Sequence, residues 1–526
     1  MSISPFLIYK SSVLYLVIPI LFFFLGWLRL GIGLFLSALL LLASVSFLKS
    51  IKSLVANDDI ITLSKEHFIA FVILFLFLLS TGNTGLIGCW GTDIPWRNAI
   101  YQDLIRQPWP VIYDYSQSML CYYITFWLVP ANITAILGLN ETGSNVVLLL
   151  WMYIGLLLIF FLLCNILKPK KEQVILITVI FLFFSGINTI GMILKSLFLE
   201  PTPLIADFPG KESWSFSDYN IKGTDVILII RNTYLNLADV YNQFFAIAIA
   251  TLLFYRFRAY IEYYFFVGLL VLPYSPIGFI GLFTIEFLEI IFNFLKNKKM
   301  YSLKKYIQKS ASIVNISTVL ALVPVYYLYY SMNIHASSTL NISHSLPNNF
   351  FYISWGKFSG DSLITLLIML FFYYYLYFLI YARLIYDSYK KESVFWEILL
   401  CLFLFPFFKI GNSADFNFTA TICPYLILCV LIINHLLLKI NTKNFRAKDI
   451  ILISCLSIAM LTPLTQIATS FRCAYLNDSI SYKWTPWNPR LQRDSFKDKD
   501  VEGFSNFLAK GYADQFFYSY LSKRSK

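Results

Sequence analysis

One segment carries more potential chemistry than any other in this chain: Gly-Thr-Asp-Ile-Pro-Trp-Arg-Asn-Ala-Ile-Tyr-Gln-Asp-Leu-Ile-Arg-Gln-Pro-Trp-Pro-Val, from Gly91 to Val111. It holds Asp93, Arg97, Asp103 and Arg106, with Asp114 just beyond. A carboxylate within hydrogen-bond reach of a hydroxyl can take its proton as the oxygen attacks a sugar carbon. Arg97 or Arg106 can hold a phosphate leaving group by charge-assisted hydrogen bonds, or equally bind lipid headgroups. Pro95 at a helix start, with Trp96, Ile100 and Leu104 on one stripe, predicts a short amphipathic helix with Asp93 near its N-cap. Two roles are open to Asp93: helix cap and general base. Asp103 and Asp114 are the next candidates for the base.

Polar residues elsewhere offer binding groups. Asn242 and Gln243 open an apolar run, where they can close a helix end or contact sugar hydroxyls. Arg231 precedes that run and is a candidate phosphate ligand. Asp415 can pair with Lys409. Pro273-Tyr-Ser-Pro276-Ile-Gly278 interrupts an apolar stretch, as a tight turn or as a broken helix lining a cavity.

The elements that must position these groups lie in a membrane. Of 526 residues, 58% are apolar, 18% aromatic and 13% charged, about half the charge of a soluble domain. The apolar residues come in runs of about 18–25, the length that crosses a roughly 30 Å hydrocarbon core as helix. Such runs lack the alternation of barrel strands. The 50 Phe and 36 Tyr suit lipid-facing bulk and interfacial belts. Most cysteines sit inside apolar runs with no metal-ligand spacing; Cys89 and Cys473 can bridge only in an oxidising compartment. The run Ser12–Leu28 lacks a small-residue cleavage site and is followed at once by another, so no cleaved leader is expected.

Clusters at Lys49/Lys52, Lys168–Lys171, Arg256/Arg258, Lys296–Lys305, Lys390/Lys391 and Lys439–Lys448 set the expected topology. Placed in the cytoplasm, they account for the net charge of +12 without a nucleic acid partner. Spans are then expected near 12–28, 31–48, 67–89, 145–167, 173–195, 241–257, 261–273, 277–295, 310–331, 362–387, 394–410, 418–438 and 449–467. That makes an all-α polytopic protein of about 13 crossings, N-terminus cytoplasmic and tail outside. The count closes only if Ser118–Leu137 does not cross but forms a re-entrant or surface helix in a long outer loop, Trp90–Ser144. The expected division is a hairpin and loop at 1–66, a catalytic membrane module at 67–300, a second membrane module at 301–468 and an outer tail at 469–526. Charges inside spans are expected to be nearly absent, with Glu286 and Arg383 near span ends, and His67 and His435 snorkelling at helix ends.

A span, an outer loop opening on an acidic residue, a helix, a re-entrant stretch ending in Leu137-Gly138 and another span resemble the start of the GT-C class of membrane glycosyltransferases. The resemblance covers roughly residues 65–300. A closer likeness is to a group of bacterial multipass proteins associated with that class. It rests on Asp103-Leu104, Trp109-Pro110-Val111, Tyr122-Tyr123-Ile124 with Pro130, Asn242-Gln243, Ser275-Pro276 with Gly278 and Gly281, Asp415-Phe416 with Thr421-Ile422, and Phe517-Tyr518 with Tyr520-Leu521. The group carries a basic residue shortly after the Asp-Phe pair, where this chain has Thr419.

The resemblance implies a GT-C-like fold, Asp93 as catalytic residue, and transfer of a sugar from a polyprenyl-phosphate donor to a glycan or lipid acceptor on the outer face. It implies a bacterial inner membrane setting. Arg97, Asp103, Arg106, Trp109, Arg231, Asn242 and Gln243 are the expected substrate-binding residues. No cofactor is expected, although a divalent metal is compatible. Competing readings are a polymerase, ligase or flippase for lipid-linked glycans, and a solute transporter, which predicts repeats and charges buried mid-span.

Overall fold

The computed structural model describes residues 2–83, 94–113, 117–187, 189–190, 230–296, 303–339, 367, 370–408, 415–475 and 507–524. Among these residues, seven helical stretches are long and apolar enough to cross a bilayer: Pro5–Trp27, Leu30–Leu54, Glu141–Leu167, Pro276–Leu295, Ile313–Asn333, Asp415–Thr442 and Ala447–Phe471. The protein is therefore a helical integral membrane protein. Other expected crossings are shorter. Lys65–Ser80, Tyr241–Phe257 and Ser393–Leu404 have 16, 17 and 12 residues. The stretch expected to cross at 261–273 is a turn of 3-10 helix, the six-residue helix Tyr264–Leu269 and a run of turns. Short helices survive in a bundle because protein neighbours, rather than lipid, answer the polar groups at their ends.

The basic clusters meet at one end of the bundle, held by ion pairs. Arg256 binds Asp58 at 2.9 Å, Lys168 binds Asp59 at 3.3 Å, and Lys309 binds Glu262 at 3.3 Å. Arg258 reaches Glu392 at 3.2 Å, and Lys448 reaches Asp387 at 2.6 Å. At the same end β1 (Ser2–Ile3) pairs antiparallel with β2 (Ile61–Thr62). His435 does not snorkel. It is buried with Nδ1 2.9 Å from Ser388 Oγ and Nε2 2.8 Å from Asp449 Oδ1, so its neighbours satisfy it instead of water.

The opposite end is built from the expected outer loop and the tail. Ser118–Leu137 folds as β4 (Ser118–Leu120), a 3-10 turn (Thr125–Trp127) and a nine-residue helix, Leu128–Ile136. Nine residues rise about 14 Å, half the hydrocarbon thickness, so this helix cannot cross alone. Strand β4 pairs with β3 (Ile112–Tyr113) and with β5 (Leu508–Lys510), which ties the C-terminus to the loop. The tail then lies along the turn between the first two helices. Arg29 N donates to Leu521 O at 2.8 Å, Lys523 N donates to Trp27 O at 2.9 Å, and the Arg29 guanidinium donates to the Ser519 and Ser522 carbonyls.

Candidate functional site

The Ile94–Arg106 helix is the centre of the non-basic end. It is buried on all sides, polar residues included: Arg97, Asn98, Gln102 and Asp103 are each below a tenth exposed. Such a helix has no apolar stripe wide enough to hold it by burial alone. Hydrogen bonds supply the rest. Tyr101 OH donates to Ser144 O at 3.0 Å and lies 3.2 Å from Thr134 Oγ1, while Gln102 Nε2 donates to Ser144 Oγ at 3.2 Å. Burial pushes the Tyr101 hydroxyl well above its ordinary range, which keeps it a neutral donor. Arg97 and Tyr101 both lie within electrostatic reach of Tyr241, whose hydroxyl accepts from Trp127 Nε1 at 3.0 Å. The helix is thus docked between the Leu128–Ile136, Glu141–Leu167 and Tyr241–Phe257 helices.

Several expected binding residues already have partners. Asp103 accepts from Tyr113 OH at 2.6 Å and from Gln107 Nε2 at 3.1 Å, which clamps the chain where it turns at Trp109-Pro110. Arg106 forms a 2.8 Å ion pair with Glu141. Trp109 donates to Leu104 O and lies so close to Gly26 that a Cβ there would meet its ring at 2.5 Å. Arg231 pairs with Asp239 at 3.6 Å and stacks its guanidinium 4.5 Å from the Phe418 ring. Gln243 accepts from Ser275 Oγ at 2.6 Å, and Gly278 N donates to the same hydroxyl, so the Pro273–Gly278 break is a hydrogen-bonded turn. Asp93, Asp114 and Lys409 lie outside the described residues, as does Cys89.

Asn242 differs from these. It is fully buried, and neither its Oδ1 nor its Nδ2 has a hydrogen-bond partner among the described residues. Asn83, Asn98, Asn145 and Asn236, buried at the same end, each keep an Oδ1 without a described partner. Asn83 is nonetheless anchored, donating to Thr81 Oγ1 at 3.0 Å and to Leu237 O. Tyr234 and Ser470 donate to Ser80 O at 2.9 and 2.7 Å. The chain leading toward Asp93 is thereby fixed at Asn83, and Ile94 directly follows Asp93 as the first residue of the polar helix. A buried amide without a partner costs about 1–3 kcal/mol, so a layer of them is costly to keep. Sugar hydroxyls, which both donate and accept, would complete them.

Sequence reasoning reached Asn242 but missed Asn98, Tyr101, Gln102, Asn145, Asn236 and Tyr241. The available signal was the i,i+4 polar pair Asn98/Gln102 on the helix side away from Trp96, Ile100 and Leu104. Mid-span charge is a second correction: Glu286 sits in the middle of the Pro276–Lys296 helix at 1% exposure, not near a span end. No family model matches this chain, and comparison with curated proteins and with solved structures returned no match.

Proposed function

We propose that the protein is a membrane glycosyltransferase that transfers a sugar from a polyprenyl-phosphate donor to a glycan or lipid acceptor at the non-basic end of the bundle. Asp93 is the general base in this reading. The observation that supports it most is the set of buried asparagines with unfilled hydrogen-bonding capacity at the end of the bundle that holds the Ile94–Arg106 helix, because neutral amides suit polyhydroxylated ligands. In the transfer, Asp93 removes the acceptor hydroxyl's proton as that oxygen bonds to the sugar's anomeric carbon. The bond from that carbon to the phosphate oxygen breaks, and the lipid phosphate leaves with the electron pair. Arg97, buried on the same helix and within electrostatic reach of Tyr241, is the arginine assigned to the leaving charge. By the positive-inside rule the basic end is cytoplasmic and this site faces outward, in a bacterial inner membrane.

Asp93→Asn tests the reading. Asparagine keeps the volume and caps a helix about as well as aspartate, but cannot act as a base. The variant should insert at wild-type abundance and lose roughly 10²–10⁴-fold in transfer. Near wild-type transfer would end the role of Asp93.

The buried carboxyls of Glu286 and Glu397 favour a second reading, ion-coupled movement of a solute or lipid-linked glycan. That function would survive Asp93→Asn.

A further inference from the structure

Acidic side chains withdrawn from water elsewhere in the described residues have answering groups. Asp58 has Arg256, Asp103 has Tyr113 and Gln107, and Asp449 has His435 and the Arg446 N–H. Two glutamates inside the bundle, Glu286 and Glu397, do not follow this rule, and a third, Glu289, faces Glu397. Glu286 and Glu289 lie on the Pro276–Lys296 helix and Glu397 on the facing Ser393–Leu404 helix, at 1%, 4% and 0% exposure. None forms an ion pair with a described Lys, Arg or His. Glu286 and Glu397 have no hydrogen bond of ordinary geometry to any described residue through either oxygen. Glu289 accepts from Asn293 Nδ2 at 2.9 Å and from Ser393 Oγ at 2.8 Å, and Glu397 faces both Glu289 and Ser393.

Among the described residues no cation pairs with these carboxyls. Arg258, whose charge reaches Glu397, is held by Glu392 at 3.2 Å at the basic end. Glu286 lies one turn deeper than Glu289. Its carboxyl rests on the backbone of Gly268 on the Tyr264–Leu269 helix: a Cβ at Gly268 would come 2.5 Å from Oε2 and 2.9 Å from Oε1. Among the described residues, the other helices packed there bring Cys401 beside Glu397 and Cys423 beside Glu286. A carboxylate with neither cation nor donor is too costly to hold in such a place, and two facing carboxylates add repulsion. A proton removes both costs. A metal ion would need more oxygen donors, and no group of three acidic, His or Cys side chains among the described residues converges closely enough to hold one.

We propose that Glu286, Glu289 and Glu397 form an intramembrane proton-binding site, reached from the basic end past Arg258, Glu392 and Ser393. Glu397, facing Glu289, is the outer proton acceptor, and Glu286 is the inner one, a helical turn beyond Glu289. The site is separate from the asparagine layer and stands whether or not the protein transfers sugars.

Infrared spectroscopy of the protein in lipid nanodiscs reads this directly. A pH titration should show carboxylic acid C=O bands that shift in heavy water and shrink in Glu286→Gln and in Glu397→Gln. Spectra of both variants superimposing on wild type at every pH would mean the carboxyls stay ionised, and would overturn the proposal. A lipid-soluble carbodiimide, which reacts only with protonated carboxyls, gives a second readout on the unaltered chain if a variant fails to fold. Mass mapping should then find adducts at Glu286 or Glu397 that alkali suppresses. Adducts suppressed by sodium at constant pH would make this a metal-cation site instead, and a complete lack of adducts with no acid band would also refute it.

Discussion

The two buried polar regions of this protein are chemically opposite. The one at the non-basic end consists of asparagines, whose neutral amides are costly when unpartnered but cannot be relieved by changing charge. The one deeper in the bundle consists of glutamates, which a single proton makes neutral. Side by side they show unanswered polar groups of two kinds held in one bundle: amides, which only a hydrogen-bonding partner can complete, and carboxyls, which a proton can neutralise.

The largest expected effect on this comparison is the roughly 10²–10⁴-fold loss of transfer in Asp93→Asn, which ties the amide layer to chemistry. Gly268→Ala comes next. Its new Cβ would collide with the Glu286 carboxyl, and overpacking of this kind costs about 1–3 kcal/mol. Thermal unfolding in detergent should show a lowered midpoint that Glu286→Ala partly restores in the double variant. No change in the single variant would mean that the carboxyl does not rest on that helix. Asparagines themselves can be compared directly. Asn315 accepts from Phe266 N at 3.1 Å and donates to the Ile261 and Ser310 carbonyls, so Asn315→Leu should cost about 1–3 kcal/mol. Asn242→Leu should be neutral or slightly stabilising while weakening donor binding in a titration. A stability loss as large as that at Asn315 would show that Asn242 is an ordinary structural amide. The smallest effect belongs to Arg106→Ala. Its exposed pair with Glu141 is worth about 0.5 kcal/mol or less, and transfer should persist. A collapse of transfer would return Arg106 to the phosphate.

Several of the motifs behind the glycosyltransferase resemblance serve as packing contacts between distant parts of the chain. Trp109 packs on Gly26, Tyr122 N donates to Tyr329 OH at 3.2 Å, and Phe517 lies 5.3 Å from the Tyr329 ring. A Cβ on Gly281 would meet the backbone oxygen of Ala420 at 2.5 Å. Residues far apart in sequence therefore meet at single contacts, and their spacing along the chain carries no sign of this. The polar helix was legible from Pro95, Trp96, Ile100 and Leu104, because local stereochemistry and a one-sided apolar stripe act over a few residues. Its partners Thr134, Ser144 and Tyr241 were not, since nothing local distinguishes a tyrosine that will accept from a distant tryptophan.

By itself the sequence determined that the chain lives in a bilayer, because apolar runs of spanning length leave the backbone no other way to satisfy its hydrogen bonds. It also determined which loops gather at one end, because lysines and arginines between spans must share the water on one side. Only the tertiary structure decided which long runs break into short helices, since that depends on neighbours answering the exposed backbone ends. It alone decided that the C-terminal strand closes the sheet of the outer loop, and that Glu286 is central and uncountered. A side chain's partner in a bundle is set by helix packing, and packing is a property of surfaces that sequence periodicity does not specify.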